Sequence, residues 1–194
     1  MSTQPGATSG EGTSLRTQHR TWSQGDYVIT TDPTHIPIAT LNAAFASDDF
    51  YWAKGLPDAV LAETLRNSLN FSIFHHPGGN GRATADGEFM GFARCITDFT
   101  TFLYLTDVYV WPAHQSKGLG KWLVGCVQEV VESMPYLRRS LCFTSDWERS
   151  VPFYEKIMGM ELVESHRQPD GSGVGPAVLM RRGDGDPSKV HKKV

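Results

Sequence analysis

Cysteine is scarce and odd in number in this 194-residue chain: the three thiols, Cys95, Cys126 and Cys142, lie far apart in apolar surroundings, with no CxxC pair. That excludes a disulfide scaffold, gives no zinc signature, and suits buried thiols in a reducing compartment. Long apolar runs are missing too: no stretch nears the roughly 20 apolar residues of a membrane helix. The segment Met1–Arg20, rich in Gly, Ser and Thr, has no apolar centre for a secretory signal. Arg16 and Arg20 with the single acid Glu11 outline a weak transit peptide, but Gly6, Gly10 and Gly12 disfavour the amphipathic helix it needs. An excess of one charge is also lacking, since 18 Lys and Arg stand against 21 Asp and Glu for a net −3. Neither nucleic acid nor a membrane surface is therefore expected as a partner. No acidic run suggests a groove for basic peptides. A cytoplasmic location is expected, with the nucleus as the alternative.

What is present is an ordinary globular composition, 40% hydrophobic, enough for one domain with a real core. Composition places a disordered tail over 1–24, one folded domain over 25–182 and a flexible tail over 183–194. Tyr27–Asp32 reads as an opening strand stopped by Pro33. Ile38, Leu41, Ala44 and Phe45 mark a first helix within Ile36–Ala46, followed by the aromatic cluster Phe50, Tyr51 and Trp52. Pro57 opens a second helix carrying Ala59, Val60, Leu61, Leu65 and Leu69. Three strands follow, Phe71–His75, Gly87–Ile96 and Thr101–Val110. The first two are joined by Pro77-Gly78-Gly79-Asn80-Gly81, a hairpin turn and not a phosphate loop, because no helix starts there. Gly118–Met134 is the central amphipathic helix. Leu141–Phe143 reads as a short strand, Ser150–Met158 as a helix stopped by Gly159, and Glu161–His166 and Ala177–Arg181 as closing strands. The pattern implies an α/β fold, a mixed and mostly antiparallel sheet flanked by helices, without internal repeats.

The chemistry concentrates in Leu105–Val124. A β-rich run ends at Pro112, and after a short loop Gly118 and Gly120 open a helix whose first turn has unpaired N–H groups. Glycines let an anion approach the backbone, and Lys117 and Lys121 add positive charge where the helix dipole also favours an anion. A pyrophosphate fits that description. The Walker pattern fails, since Gln115 and Trp122 stand where Gly and Ser or Thr are required, which argues against ATP or GTP. The dinucleotide fingerprint fails as well, with Gly118 and Gly120 alone and late in the chain, which argues against NAD.

Gln115-Ser-Lys-Gly118-Leu-Gly120 resembles the Gln/Arg-x-x-Gly-x-Gly/Ala signature of the GCN5-related N-acetyltransferase family. It follows a strand ending Val108-Tyr-Val-Trp-Pro112 and precedes an amphipathic helix, as in that family. A second block, Val151-Pro-Phe-Tyr154-Glu-Lys-Ile-Met-Gly159, resembles the family's later helix. The resemblance implies an acyl-CoA N-acyltransferase fold over about Asp26–Arg181, with acetyl-CoA as co-substrate. Gln115, Ser116, Lys117, Gly118, Leu119, Gly120 and Lys121 would hold its pyrophosphate. Val108, Tyr109 and Val110 would pair with the pantetheine arm as an added strand, through a bulged and splayed edge. Tyr154 would protonate the departing thiolate; taken alone, a Tyr at that spacing is more often a core residue.

The attacking amine must lose a proton, and Asp107 is the nearest carboxylate. Strand alternation argues against it, turning Asp107 away from the side that Tyr104 and Thr106 face; His114 and Asp146 are the further candidates. His75 and His76, adjacent on a strand, face opposite sides and are read as surface histidines, and no metal is expected. The aromatic set Phe45, Phe50, Tyr51 and Trp52 and the later Trp147 read as packing residues, with an acceptor-site role for the set, and a cofactor contact for Trp147, as the alternatives. No Cys sits in a nucleophile motif, so direct attack by an amine, preferably of a small molecule, is expected. Two alternatives stay open: a non-catalytic acyl-CoA sensor, and transfer of a longer acyl chain into space lined by Ala44 and Gly91. A homodimer is the first expectation for the assembly.

Overall fold

The computed structural model describes residues 15–47, 50, 53–78, 87–164, 168–173 and 177–182. The tails over 1–14 and 183–194, Tyr51, Trp52, residues 79–81 of the glycine-rich turn and His166 lie outside the described residues. The strands are β1 (Thr21–Gln24), β2 (Tyr27–Thr30), β3 (Leu69–His75), β4 (Glu88–Thr97), β5 (Phe102–Val110), β6 (Arg139–Thr144), β7 (Glu161–Glu164) and β8 (Ala177–Arg182). The helices are α1 (Ile38–Phe45), α2 (Asp58–Arg66), α3 (Leu119–Glu132) and α4 (Ser150–Met158). All eight strands join one sheet in the order β1-β2-β3-β4-β5-β6-β8-β7, antiparallel throughout except for the β5–β6 pair. The mixed, mostly antiparallel sheet expected from the element order is thus the observed one.

Each face of the sheet has its own core. Leu123, Val124, Val127, Val130 and Val131 recur at helical spacing on α3 and pack, with Val151 and Met158 of α4, on Phe71, Ala93, Leu103 and Leu105. Each such buried Leu or Val contributes roughly 1.5–3 kcal/mol relative to exposure. On the other face Leu41, Phe45, Leu61 and Leu65 of α1 and α2 cover Phe74, Phe89 and Phe92. These two short helices reach only part of their face. Beyond them Ile96, Phe102 and Phe143 stay exposed on β4, β5 and β6. Helix α4 stops where Gly159 takes φ 57°, a left-handed position that glycine adopts without a Cβ penalty. Among the described residues no helix is long and apolar enough to cross a membrane.

The first strand lies where composition suggested a tail. Thr21–Gln24 pairs antiparallel with β2 through a two-residue Gly25-Asp26 turn whose glycine has φ 57°. Its burial pattern is mostly exposed, so its sequence carries no apolar alternation to betray it. Trp22 supplies the anchor. Its indole lies 5.9 Å from the Phe71 ring and its Nε1 donates to Glu129 Oε2 of α3 at 2.9 Å.

Truncating this partly buried anchor, Trp22→Ala, should cost about 2 kcal/mol, below the 3–5 kcal/mol of a fully buried Trp. For a domain of this size that is a loss of about 4–8 °C in Tm. An unchanged Tm by differential scanning calorimetry would mean that β1 is not part of the cooperative unit.

Candidate active-site cleft

The site begins with an interruption in the sheet. β5 and β6 pair only through Phe102↔Arg139, Leu103↔Ser140, Tyr104↔Leu141 and Leu105↔Cys142, although β5 runs on to Val110 and β6 to Thr144. From Thr106 onward the β6-facing edge of β5 has no strand beside it among the described residues. At the same level β5 carries a bulge: Arg94 opposes Asp107 and Cys95 opposes Leu105, leaving Thr106 as the extra residue. Trp111 N–H bonds Met90 C=O at 3.0 Å. Since ladder residues alternate in direction, the backbone of Tyr109 then faces β4 while the amide and carbonyl of Val108 face the open edge.

The bulge also resets which side chains point where. Leu103 and Leu105 face the α3 core, and so do Val108 and Val110, three residues after Leu105 instead of two. Tyr104, Thr106 and Asp107 all line the same cleft. The expectation from simple alternation, that Asp107 would turn away from the side of Tyr104 and Thr106, is therefore overturned by one inserted residue. The cleft, about 690 Å³, runs from Gln115 and Val108 past Tyr154 to Phe45, Leu56 and Leu61 of the α1–α2 side. That volume suits a small-molecule site.

Asp107 is buried and paired. Its Oδ2 accepts from Arg94 Nε at 2.7 Å, and Arg94 Nη1 donates to Ser68 Oγ at 3.3 Å. The pair leaves Oδ1 for a second donor. Arg94 was absent from the sequence-based candidates, yet it leaves a signal: it is the lone charge inside the apolar run Phe89–Ile96 of a strand expected to lie beside Asp107. Tyr154 projects from α4 into the cleft. Burial, and to a lesser degree the neighbouring Cys142 and Cys95, pushes its phenol well above the ordinary tyrosine value, so it is protonated at neutral pH. Burial also raises the Cys126 and Cys142 thiols to about 12, and Cys95 higher still, which leaves none of the three as a ready thiolate nucleophile.

The other end of the cleft is backbone. Ser116 and Gly118 take φ 63° and 77°, and Gly118 caps α3. The first α3 amide with an intrahelical acceptor is that of Trp122, bonded to Gly118 C=O at 3.1 Å, so the amides of Leu119, Gly120 and Lys121 point out of the helix end. A Cβ added at Gly118 would meet nothing within 4 Å, which leaves the approach to these amides open. Gln115 is turned inward, its Nε2 donating to Val110 C=O at 2.9 Å and tying the loop to the end of β5. Lys117 and Lys121 are exposed at the same helix end. This is an anion cradle, and its open approach and free amides fit a pyrophosphate.

Several candidates lie elsewhere. Tyr109 packs its ring on Phe50 and Trp111, at 4.3 and 5.3 Å between centroids, and is not among the cleft residues. His114 turns to Glu88, 3.3 Å away, and is not among the cleft residues; His75 lies 3.7 Å from the same carboxylate. Asp146 lines the cleft, but its Oδ1 accepts the Arg149 N–H at 2.9 Å and serves the turn into α4. Trp147 packs on the α3-side core. Ala44 and Gly91, named for the alternative of a longer acyl chain, do not line the cleft, and Gly91 is closed in by Ile73, Val110 and the Tyr109 carbonyl. Among the described residues no group of three or more His, Cys, Asp or Glu could hold a metal ion.

The sequence profile of the Acetyltransferase (GNAT) family matches residues 42–160, which takes in the end of α1, all of α2, the bulged strand, the loop into α3 and α4. A Gibberella zeae protein named "Putative acetyltransferase FG08082" is 34% identical over 177 residues, covering 87% of this chain and 96% of that protein. A Xanthomonas campestris structure described as an acetyltransferase of the GNAT family is 30% identical, with a TM-score of 0.54, over 68% of this chain and 84% of its own. The Salmonella typhimurium yncA structure, solved with its cofactor acetyl-CoA, shares the fold with a TM-score of 0.57 at 17% identity, over 82% and 95% of the two chains. On this match of sequence and fold, the chain belongs to the GNAT family and is an acetyl-CoA-dependent acetyltransferase.

Proposed function

We propose that the enzyme transfers the acetyl group of acetyl-CoA to the primary amine of a small molecule by direct attack. The observation that carries this reading is the run from the outward amides of α3, along the unpaired edge of β5, to a partly buried, protonated tyrosine. In this reading Gln115, Ser116, Lys117, Gly118, Leu119, Gly120 and Lys121 hold the pyrophosphate. The backbone of Val108 to Val110 takes the pantetheine arm as an added strand, and acetyl-CoA supplies an activated thioester beside Val108, whose amide polarises its carbonyl.

The unprotonated amine nitrogen forms the new C–N bond at the carbonyl carbon, and the C–S bond breaks. Tyr154 gives its proton to the leaving sulfur, so that coenzyme A departs as the thiol. The surplus amine proton passes to Asp107 or through water to solvent, from which Tyr154 regains its own. Asp107 is the residue that orients the amine, through the oxygen Arg94 does not use. High thiol pKa values disfavour a cysteine-bound acyl intermediate and support the direct route. The buried reduced thiols fit a cytoplasmic or nuclear enzyme, and a homodimer is the assembly we propose.

Thiol release with acetyl-CoA over a panel of arylamines, alkylamines, polyamines, amino acids and peptides tests the transfer. Turnover of one amine class is expected, and Tyr154→Phe should lower kcat by about 10²-fold, the usual scale of a general acid, with little change in KM for acetyl-CoA. Saturable acetyl-CoA binding without thiol release on any amine would favour a sensor. Because burial holds the Tyr154 proton above its ordinary value of 10.0, kcat should show no alkaline fall from this group below that pH. A fall in kcat setting in near pH 8 would place the acid elsewhere.

Asp107→Asn should reduce kcat/KM for the amine at least tenfold while leaving KM for acetyl-CoA within twofold. An equal rise in both KM values would instead mark Asp107 as structural. At the cradle, Gly118→Val forces a β-branched residue to a left-handed φ and crowds the amides, so KM for acetyl-CoA should rise about tenfold or more. An unchanged KM would remove the loop from the cofactor site.

A further inference from the structure

The half of the sheet that α1 and α2 leave open carries apolar side chains of its own. Ile96 of β4, Tyr104 of β5, Leu141 of β6 and Met180 of β8 are successive partners in the ladders, so they form one row across four strands. Phe102, Phe143 and Val178 stand two residues along their strands from members of that row, and alternation puts them on the same side of the sheet. The opposite side is marked by Leu103, Leu105, Cys142, Ala177 and Leu179, which are buried in the α3 core. None of the seven packs into either core, and Ile96, Phe102 and Phe143 are 45, 37 and 51% exposed. Single exposed apolar residues are ordinary, whereas a contiguous apolar face marks an interaction surface. Four strands spaced about 4.8 Å apart make this one about 15 Å across, an extent that suits the apolar centre of a standard-size interface.

What covers the face follows from its rim. Arg139 lies two residues before Leu141 on β6, and Glu161 lies beside Met180 on β7. Both are exposed and on this same side of the sheet, to either side of a line that passes between Leu141 and Met180. A two-fold axis along that line brings Arg139 of one copy to Glu161 of a second, twice over, and lays apolar face on apolar face. A surface that carries both halves of its own salt bridge matches a copy of itself. The terminal segments of this chain fit it poorly, since 1–14 and 183–194 offer Met1, Val190 and Val194 as their only large apolar side chains.

We infer that this uncovered face of β4, β5, β6 and β8 docks a second copy of the chain, with Phe143, Leu141 and Met180 at the centre of a two-fold interface and Arg139–Glu161 pairs at its rim. This rests on the homodimer proposed above and gives it a surface and a symmetry. Tyr104 and Phe143 also line the cleft, and their rings stand edge-on, 5.1 Å apart between centroids. The second copy therefore borders the far end of the cleft.

Sedimentation velocity of the full chain over a dilution series reads the dimer, with Tm by calorimetry as the check on folding. A concentration-dependent dimer is expected. Phe143→Glu puts a charge into the apolar centre and should raise the dimer Kd by about tenfold or more. Arg139→Glu and Glu161→Arg set like charges together and should each raise Kd about tenfold, while the double variant, which exchanges the pair, should return it to within about threefold of the unaltered chain. Both are exposed rim positions, so the reversals carry the test even where Phe143→Glu lowers Tm. A chain that stays monomeric at every concentration overturns the homodimer and this interface together. A dimer that Phe143→Glu or the single reversals leave unchanged, or that the double variant does not restore, overturns the interface and leaves the homodimer standing.

Discussion

The parallel pairing of β5 with β6 stops after Leu105 and Cys142, and Thr106 is inserted into β5 at that same level. Most features of the cleft follow from this coincidence. Where the two strands part, the backbone of Val108 loses a neighbour and keeps its hydrogen-bonding capacity, a condition a buried strand would not tolerate but an extended guest can satisfy. The inserted residue turns the Asp107 side chain into the opening and keeps Val108 and Val110 on the α3 core. One bulge therefore supplies both an unpaired edge and a charged group beside it.

The groups around that opening come from parts of the chain that serve other purposes. Helix α3 is first of all the apolar spine of one core, and its outward first-turn amides are the unavoidable consequence of starting a helix. Gly118 and Ser116, both in left-handed conformation, aim that helix end at the last residues of β5. Helix α4 packs on the same core through Val151 and Met158, which sets Tyr154 at the mouth with its proton held by burial. On the opposite face the short α1 and α2 cover only part of the sheet, and the uncovered part lines the far end of the cleft.

The Arg94–Asp107 pair shows how a polar group is kept in such a place. A buried carboxylate without a partner is costly, and the guanidinium gives it an opposite charge at 2.7 Å and fixes its orientation. Arg94 is in turn held by Ser68 at the entry to β3, so the pair connects the α2 side of the acceptor end to the centre of the sheet. Leu56, which lines the same cleft, is held by a different device, an asparagine side chain in place of backbone pairing. Both keep the lining in one arrangement before any ligand arrives.

The sequence by itself determined the order of the other elements, the core rows of α3 and α4, the glycine stop at Gly159, the glycine opening of α3 and the tyrosine on α4. These are local: helical period, backbone freedom and a short motif all act within a few residues of one another. It did not reveal β1, because an edge strand held by one tryptophan has no apolar alternation. Nor could alternation place Asp107, since the Thr106 bulge is set by how β4 and β5 register, not by either strand alone. The pairing of Arg94 with Asp107, the end of the β5–β6 ladder and the convergence of Leu56 and Tyr154 on one cleft were decided only in the tertiary structure. Each depends on contacts between residues distant in the chain, and a single strand's pattern contains no information about where its neighbour stops.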